Sequence, residues 1–422
     1  MKTFDIVVIG GGPAGMMAAV KAAEEGCTVA LLEKNPFCGK KLNLTGKGRC
    51  NITNARPWSE FSPHIHPSAQ PFRNAFYNFS NEDVVDFFNG IGVPTVETQG
   101  RRIFPESMRA QDVSRALAGH LDDLGVSVLC NSEAIGVRRD SGRLLTSVSI
   151  GGGTAVDVIS SEAVIVATGG RSYPLTGSTG FGYEIAESFG HSVVNTFPCL
   201  TALKPDRYDS ALKGIDLENV CMLLFVDKDL VQVEQGDLSF TDNGIEGSLG
   251  FKVSRKAVWA LIHGQKVELE LDLKPGLKLP LLDARIDRSI AEMGSSRQSI
   301  GPVKFKALVR SLLPAALVGP FTDAHPGLNV NGLAAALKCW RFKITSYTGY
   351  ERSVVTAGGV PNSEIVAKAM RSKMDPGLYF AGEVLDLDGD TGGYNLQIAF
   401  STGALAGRSA AQRIRNSREE SE

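Results

Sequence analysis

The sequence predicts an α/β chain built on a largely parallel sheet, interrupted in its second half by an all-β insertion and then a helical one. Three observations carry this. A glycine motif joins a strand to a helix near the N-terminus. Two further apolar strands, far downstream, also end in glycine. Between those two lies a stretch of strand-like runs separated by turn residues.

FDIVVIGGGPAGMMAAVKAAEEGCTVALLEK (4–34) holds the strongest local signal. Ile6 to Ile9 is a continuous apolar run, as expected of a strand covered on both faces. Gly10, Gly12 and Gly15 follow as G-x-G-x-x-G. The first permits a tight turn, the second lets a pyrophosphate approach the backbone, and the third lets helix pack on strand. Ala14 to Glu25 is an alanine-rich helix whose N-terminal amides face the phosphates, with Pro13 just before it a further cofactor contact. Gly26 ends the helix, and Thr28 to Leu32 is the second strand. Glu33, followed by Lys34, lies 18 residues after Gly15, where a carboxylate accepts hydrogen bonds from a ribose. The same charge repels a 2′-phosphate and disfavours NADP here, leaving NAD and FAD.

KKLNLTGKGRCNITN (40–54) can neither build a core nor sit easily in a helix. Gly46 and Gly48 let the backbone approach a ligand, and Lys41, Lys47 and Arg49 supply charge for a pyrophosphate or a flavin edge. Thr45 lies on the same loop, and Asn51 and Asn54 can pin it by local side-chain bonds. Cys50 reads in two ways: a small buried residue, or a general acid whose thiol the neighbouring cations lower. Cys50, Arg49 and Lys47 are the candidate catalytic residues. His64 and His66 have no further metal ligands at a recognisable spacing, so a packing or surface role is expected and no metal.

Residues 90–140 read as a strand pair around Gly100, a helix from about Ala110 to Leu124, and a strand from Val126 to Leu129 running under an adenine, with Ala134 a backbone contact. Residues 134–166 alternate apolar and polar, which suits a small antiparallel sheet. SSEAVIVATGGRSYP (160–174) is a strand ending in Ala167, Thr168 and Gly169. From His191 the pattern becomes that of a barrel, and residues 281–340 turn helical. Leu378 to Ala381 is the last strand. Gly382 and Glu383 follow it, then a glycine-rich loop and a long helix from about Asn395. Glu383 can hold a ribityl chain or pyrophosphate from the opposite side. Gly393, Tyr394, Asn395 and Leu396 can offer helix amides or a packing ring to a flavin. A simple NAD enzyme has no need of this C-terminal return, so the cofactor reads as FAD. The polar tail 413–422 is expected to fray.

Together, TGKGRCNITN, ATGG, GSTGFGY (177–183), VTAGGV (355–360) and LYFAGEVLDLDGDTGGYNLQIAFSTG resemble the BaiN/RdsA-type family of FAD-dependent oxidoreductases over nearly the whole chain. A similar GR-x-FP element is matched by Gly100, Arg102, Phe104 and Pro105, while NGIEGSLG (243–250) departs from the family's Ser-Gly-Pro step. The resemblance implies a Rossmann-like FAD-binding domain of glutathione-reductase type over 1–192 plus 344–422. An inserted β-barrel would span 193–280 and a small helical subdomain 281–343. It also puts the 40–54 loop along the FAD.

Composition sets the remaining bounds. The 422 residues are 43% hydrophobic and 21% charged with 46 glycines, and the net charge of −2 gives no global reason to expect nucleic acid or membrane. No apolar run spans a bilayer, Met1 to Gly15 does not read as a signal peptide, and seven scattered cysteines suit a reducing cytoplasm. Residues 252–310 nevertheless hold twelve Lys/Arg against six Asp/Glu, and Arg297 to Arg310 has four cations and no acid. Such a face either meets phosphates or is merely solvated. No second G-x-G-x-x-G is present, so NAD(P)H, as the expected electron donor, would visit the substrate's face. Family members are linked to forming dihydrouridine in large-subunit ribosomal RNA, and others to bile-acid intermediates or aminoketones. The leading expectation is therefore uridine reduction in 23S ribosomal RNA. The alternatives are a small-molecule flavin reductase or peroxide-forming oxidase, and a redox-sensing flavin-binding protein.

Overall fold

The structure, a computed structural model, describes residues 1–153 and 156–420. Positions 154 and 155 of the expected 134–166 sheet, and 421 and 422 of the tail, lie outside the described residues.

The first unit comprises residues 1–198 and 350–422. It lays down β1 (Lys2–Ile9), α1 (Pro13–Glu24), β2 (Val29–Leu32), β3 (Ser127–Leu129), β4 (Val156–Val166), β5 (Leu378–Phe380) and α2 (Gly392–Glu419). The strands pair in the order β5-β4-β1-β2-β3, all parallel. Ile6–Ile9, Val29–Leu32 and Ala163–Val166 are buried throughout, because a sheet with both faces covered has no solvent side for a polar residue to point to. Antiparallel strands extend it: 365–366 and 371–372 beyond β5, and 143–150 with 132–140 from β4. They bring the sheet to nine strands among the described residues.

Helices α1 and α2 meet backbone to backbone. A Cβ at Gly403 would stand 2.3 Å from the Ala14 carbonyl oxygen, and one at Gly407 2.2 Å from that of Ala18. Helix α2 begins at Gly392, three residues before the expected start at Asn395, since glycines leave no side-chain signal of helix. The tail departs from expectation. It remains helical to Glu419: Ile414 is buried, Arg415 pairs with Glu25 at 3.0 Å, and Arg418 reaches Asp5 and Glu162.

The second unit, residues 199–349, is a closed six-stranded barrel, in the order 203–205, 244–246, 229–241, 215–226, 267–272 and 340–347. Two features differ from the sequence reading. A helix, Gly247–Ile262, sits within the region read as all barrel. Its buried Leu249, Val253 and Ala257 recur at i, i+4, a period that turn residues nearby obscured. The expected boundary at 344 falls inside the barrel's closing strand, Trp340–Tyr347. Consequently the helices between 279 and 338 are an insertion between two barrel strands and belong to the same unit. No described helix is long and apolar enough to cross a membrane.

Candidate functional site

A cavity opens where β1, β2 and β4 end and α1 and α2 begin. The three motif glycines are required for three separate reasons. Gly10, at φ 106°, turns so tightly that a Cβ would lie 2.5 Å from the Ala167 carbonyl oxygen. A Cβ on Gly15, buried in α1 behind the cavity, would stand 1.9 Å from the Gly10 carbonyl oxygen. Gly12 differs from both. It has φ −80°, and a Cβ there meets no protein atom within 4 Å. Nothing in the polypeptide fills the space of a Cβ at Gly12, and Gly12 lines the cavity, so its bare backbone is open to close approach by a group that enters there. No side chain caps α1, so its first amides remain open toward that space.

Pro13, Ala14, Glu33, Lys34, Lys41, Thr45, Ala134, Ala167, Thr168, Gly169, Gly382, Glu383, Asn395 and Leu396 line the cavity, as do Gly10 and Gly12. Glu33 accepts the Gly11 amide on Oε2 at 2.9 Å, and on Oε1 the Asn35 amide and side chain at 2.7 and 2.6 Å. A carboxylate has about four lone-pair positions, so roughly one is left for a ribose hydroxyl. Lys41 pairs with Glu383 at 2.7 Å, and the other Glu383 oxygen accepts the Thr356 amide at 2.9 Å. The ammonium read as a pyrophosphate partner is thus tied to the carboxylate read as a ribityl holder. Lys34 extends to Thr179 at 3.3 Å and Glu133 at 3.5 Å.

The rest of the 46–51 loop does not line the cavity. Gly46, Lys47, Gly48 and Cys50 all have left-handed backbone, at φ 58°, 57°, 83° and 59°. That leaves Lys47 and Arg49 exposed, the Arg49 guanidinium lying over the Phe104 ring at 5.5 Å. Of the two readings of Cys50, the structure gives the small buried residue and contradicts the lowered thiol. It is fully buried, and burial pushes it up to about 12 against a weaker opposing hydrogen bond from Thr45. The neighbouring cations point to water and do not reach it. Asn51, with its amide turned to satisfy its neighbours, accepts the Gly393 amide at 3.2 Å and donates to Thr53. Gly393 is glycine because that Asn51 side chain fills the space of a Cβ. Asn54 pins the loop locally, to the Arg56 amide and the Gly100 carbonyl. Tyr394 also points away from the cavity, packing edge-on to Phe61 at 4.7 Å and stacked on His64 at 4.5 Å.

Sequence reasoning missed several wall residues, among them Ser132, Thr176–Thr179, Val354 and Val355. The small-residue run GSTG at 177–180 was the available signal for one of these walls. It also missed that His64 and His66 both bond Asp390, at 2.7 Å each. A second polar row, Glu364–His191–Ser372, has spacings of 2.8 and 2.6 Å and the order of a nucleophile relay. Ser372 is buried, accepts the Met374 and Asp375 amides, and does not line the cavity, so the row fastens the sheet edge.

Known proteins resemble this chain over nearly its whole length. The chain is 28% identical over 419 residues to the 3-dehydro-bile acid delta(4,6)-reductase of Clostridium scindens, covering 97% of this chain and 99% of that one. It is 29% identical over 418 residues to the ribosomal RNA dihydrouridine synthase of Escherichia coli, covering 95% and 96%. The solved 3-ketosteroid delta1-dehydrogenase of Sterolibacterium denitrificans shares the fold, at TM-score 0.53 and 12% identity over 98% of this chain and all of that one. FAD fits the open Gly12, the uncapped α1 and the spare acceptor of Glu33. With the HI0933-like protein Rossmann domain matched over residues 4–409, the chain belongs to the HI0933-like family of FAD-dependent oxidoreductases.

Proposed function

We propose that this enzyme reduces a carbon–carbon double bond conjugated to a carbonyl, drawing on NAD(P)H, with uridine in 23S ribosomal RNA as its leading substrate. The observation that carries the reading is the cradle at Gly12 in a chain that aligns end to end with an RNA dihydrouridine synthase and a bile-acid reductase. Both names fit one chemistry, since the uracil C5=C6 bond is conjugated to the C4 carbonyl. FAD, when bound, supplies hydride chemistry at N5. The amides of α1 and the backbone at Gly12 hold the pyrophosphate, Glu33 takes the adenosine ribose, and the Lys41–Glu383 pair sets the charge on the opposite wall. Lys47 and Arg49, exposed beside Thr45, are placed for substrate phosphates in preference to cofactor ones.

The basic stretch is the support for RNA within the second unit. Arg297 is spent on Asp283 and Asp287, and Lys304 on the Met293 carbonyl. Lys306 and Arg310 remain exposed without an ion pair among the described residues. The test is mass-spectrometric mapping of dihydrouridine in 23S ribosomal RNA from a strain lacking the gene, with rescue by purified protein and NADPH. An unchanged map sinks the RNA reading. The steroid-like small-molecule reductase, favoured by the equally similar bile-acid relative, would then stand. NAD(P)H as donor is checked by anaerobic mixing: a flavin that stays oxidised at saturating NADH and NADPH excludes it.

Reduction of uracil adds a hydride at C6 and a proton at C5, so a proton donor is needed. Cys50 is fully buried and does not line the cavity, so its thiol has no path to a substrate carbon there. Cys50→Ala is therefore expected to leave both flavin reduction and flavin reoxidation by substrate within about threefold of wild type. Loss of the second half-reaction alone, by about 100-fold or more, would restore Cys50 as the donor.

A further inference from the structure

The loop before α2 runs Asp388-Gly389-Asp390-Thr391-Gly392-Gly393, and its three glycines leave it little intrinsic order. Yet Leu387 before it, Gly392 within it, and Asn395 and Leu396 after it all line the cavity. Something outside the loop must fix its height, and the fixture is visible. Asp388 and Gly389 pair as a short antiparallel bridge with His66 and Ile65. The Asp390 amide donates to the His64 carbonyl at 3.1 Å. The Asp390 carboxylate then takes both imidazoles, Oδ2 at 2.7 Å from His64 Nδ1 and Oδ1 at 2.7 Å from His66 Nε2. Each carboxylate oxygen is thus held by one imidazole N–H.

The histidines are themselves held. His64 is stacked under Tyr394, and Phe61, fully buried, packs edge-on to the same ring. Asn395 closes the loop on itself, donating to the Gly389 and Thr391 carbonyls at 2.7 and 2.9 Å and accepting the Gly389 amide at 3.0 Å. Asp390 does not line the cavity, and Gly392, two residues on, does, so the two Cα atoms lie within about 7.6 Å. Burial pushes the Asp390 carboxyl up, but the bonds from His64 and His66 outweigh it and hold it down at about 2.

We propose that Asp390, gripped by His64 and His66, is a positioning residue for the flavin: it sets the first turn of α2 against the cofactor and so tunes how strongly oxidised and reduced FAD are held. This rests on the FAD reading above and adds a specific device to it. Asparagine can preserve the device. Its Oδ1 accepts from one imidazole while its Nδ2 donates to the other in the opposite tautomer, whereas alanine offers nothing.

The experiment measures FAD affinity, the flavin midpoint potential and apo-protein melting for wild type, Asp390→Ala and Asp390→Asn. Asp390→Ala is expected to weaken FAD roughly tenfold or more, as sub-ångström misplacement of a preorganised site does. Its potential should move by about 30 mV, which corresponds to a tenfold change in the ratio of oxidised to reduced affinity. Asp390→Asn should recover most of both. An alanine variant with wild-type affinity and potential overturns the proposal, and so does one that melts earlier with its potential unchanged. If Asp390→Ala does not fold, His66→Ala is measured in the same two ways, and wild-type affinity and potential there overturn the proposal equally. Wild-type protein that takes up no FAD would instead sink the cofactor reading itself, a distinct failure.

Discussion

Gly12→Val is expected to yield a folded, colourless protein. The native backbone there, at φ −80° and ψ −178°, is open to any residue, and the new side chain meets no protein atom at Cβ. The cost to folding is confined to a poorer helix cap, about 1 kcal/mol or less. The cost to the cofactor is steric exclusion at the point of closest approach, and FAD affinity should fall by at least about 100-fold, or 2.7 kcal/mol. Thermal unfolding of the apo-protein and titration with FAD, followed by its visible absorbance, give the two numbers. A variant that binds FAD normally would mean that the cavity serves something else. A variant that fails to fold would mean that Gly12 is structural after all.

The second large effect runs the other way. Gly407→Val should destabilise the fold itself, by on the order of 3 kcal/mol or more, because its Cβ would stand 2.2 Å from the Ala18 carbonyl oxygen and helix backbone cannot yield. Helices α1 and α2 would have to separate, and both contribute to the cavity, so FAD binding should fail with folding and not independently of it. At roughly 2–4 °C per kcal/mol for a domain of this size, the melting temperature should drop by about 10 °C. Gly119→Ala is the matched control: the residue lies inside the helix Ala110–Asp123 with open space around it, and should gain a few tenths to about 1 kcal/mol. Equal effects from the two substitutions would sink the packing argument.

These two glycines mark the difference between what was legible in the sequence and what was not. The role of Gly12 could be assigned from its place between a strand and a helix, because a phosphate-binding turn is made by consecutive residues. Gly403 and Gly407 carried no such mark. Their partners, Ala14 and Ala18, are 389 residues earlier in the chain, and only the crossing of the helices shows why a side chain is forbidden there.

The same division runs through the rest of the protein. The strand-turn-helix at the N-terminus, the acid at Glu33 and the glycine-ended strands at 166 and 380, and hence a dinucleotide site, were determined by the sequence alone, since each depends on spacing within a few turns of chain; FAD over NAD needed the C-terminal return and the family resemblance as well. Tertiary structure alone decided that Cys50 is sealed from water, that Lys41 is neutralised by Glu383, and that Arg415 and Arg418 of the tail have carboxylates to meet. It alone decided that His64 and His66 meet Asp390 across more than 320 residues. The physical reason is common to all of these. Local backbone geometry is written in neighbouring residues, whereas burial and charge pairing are properties of the space that distant segments come to share.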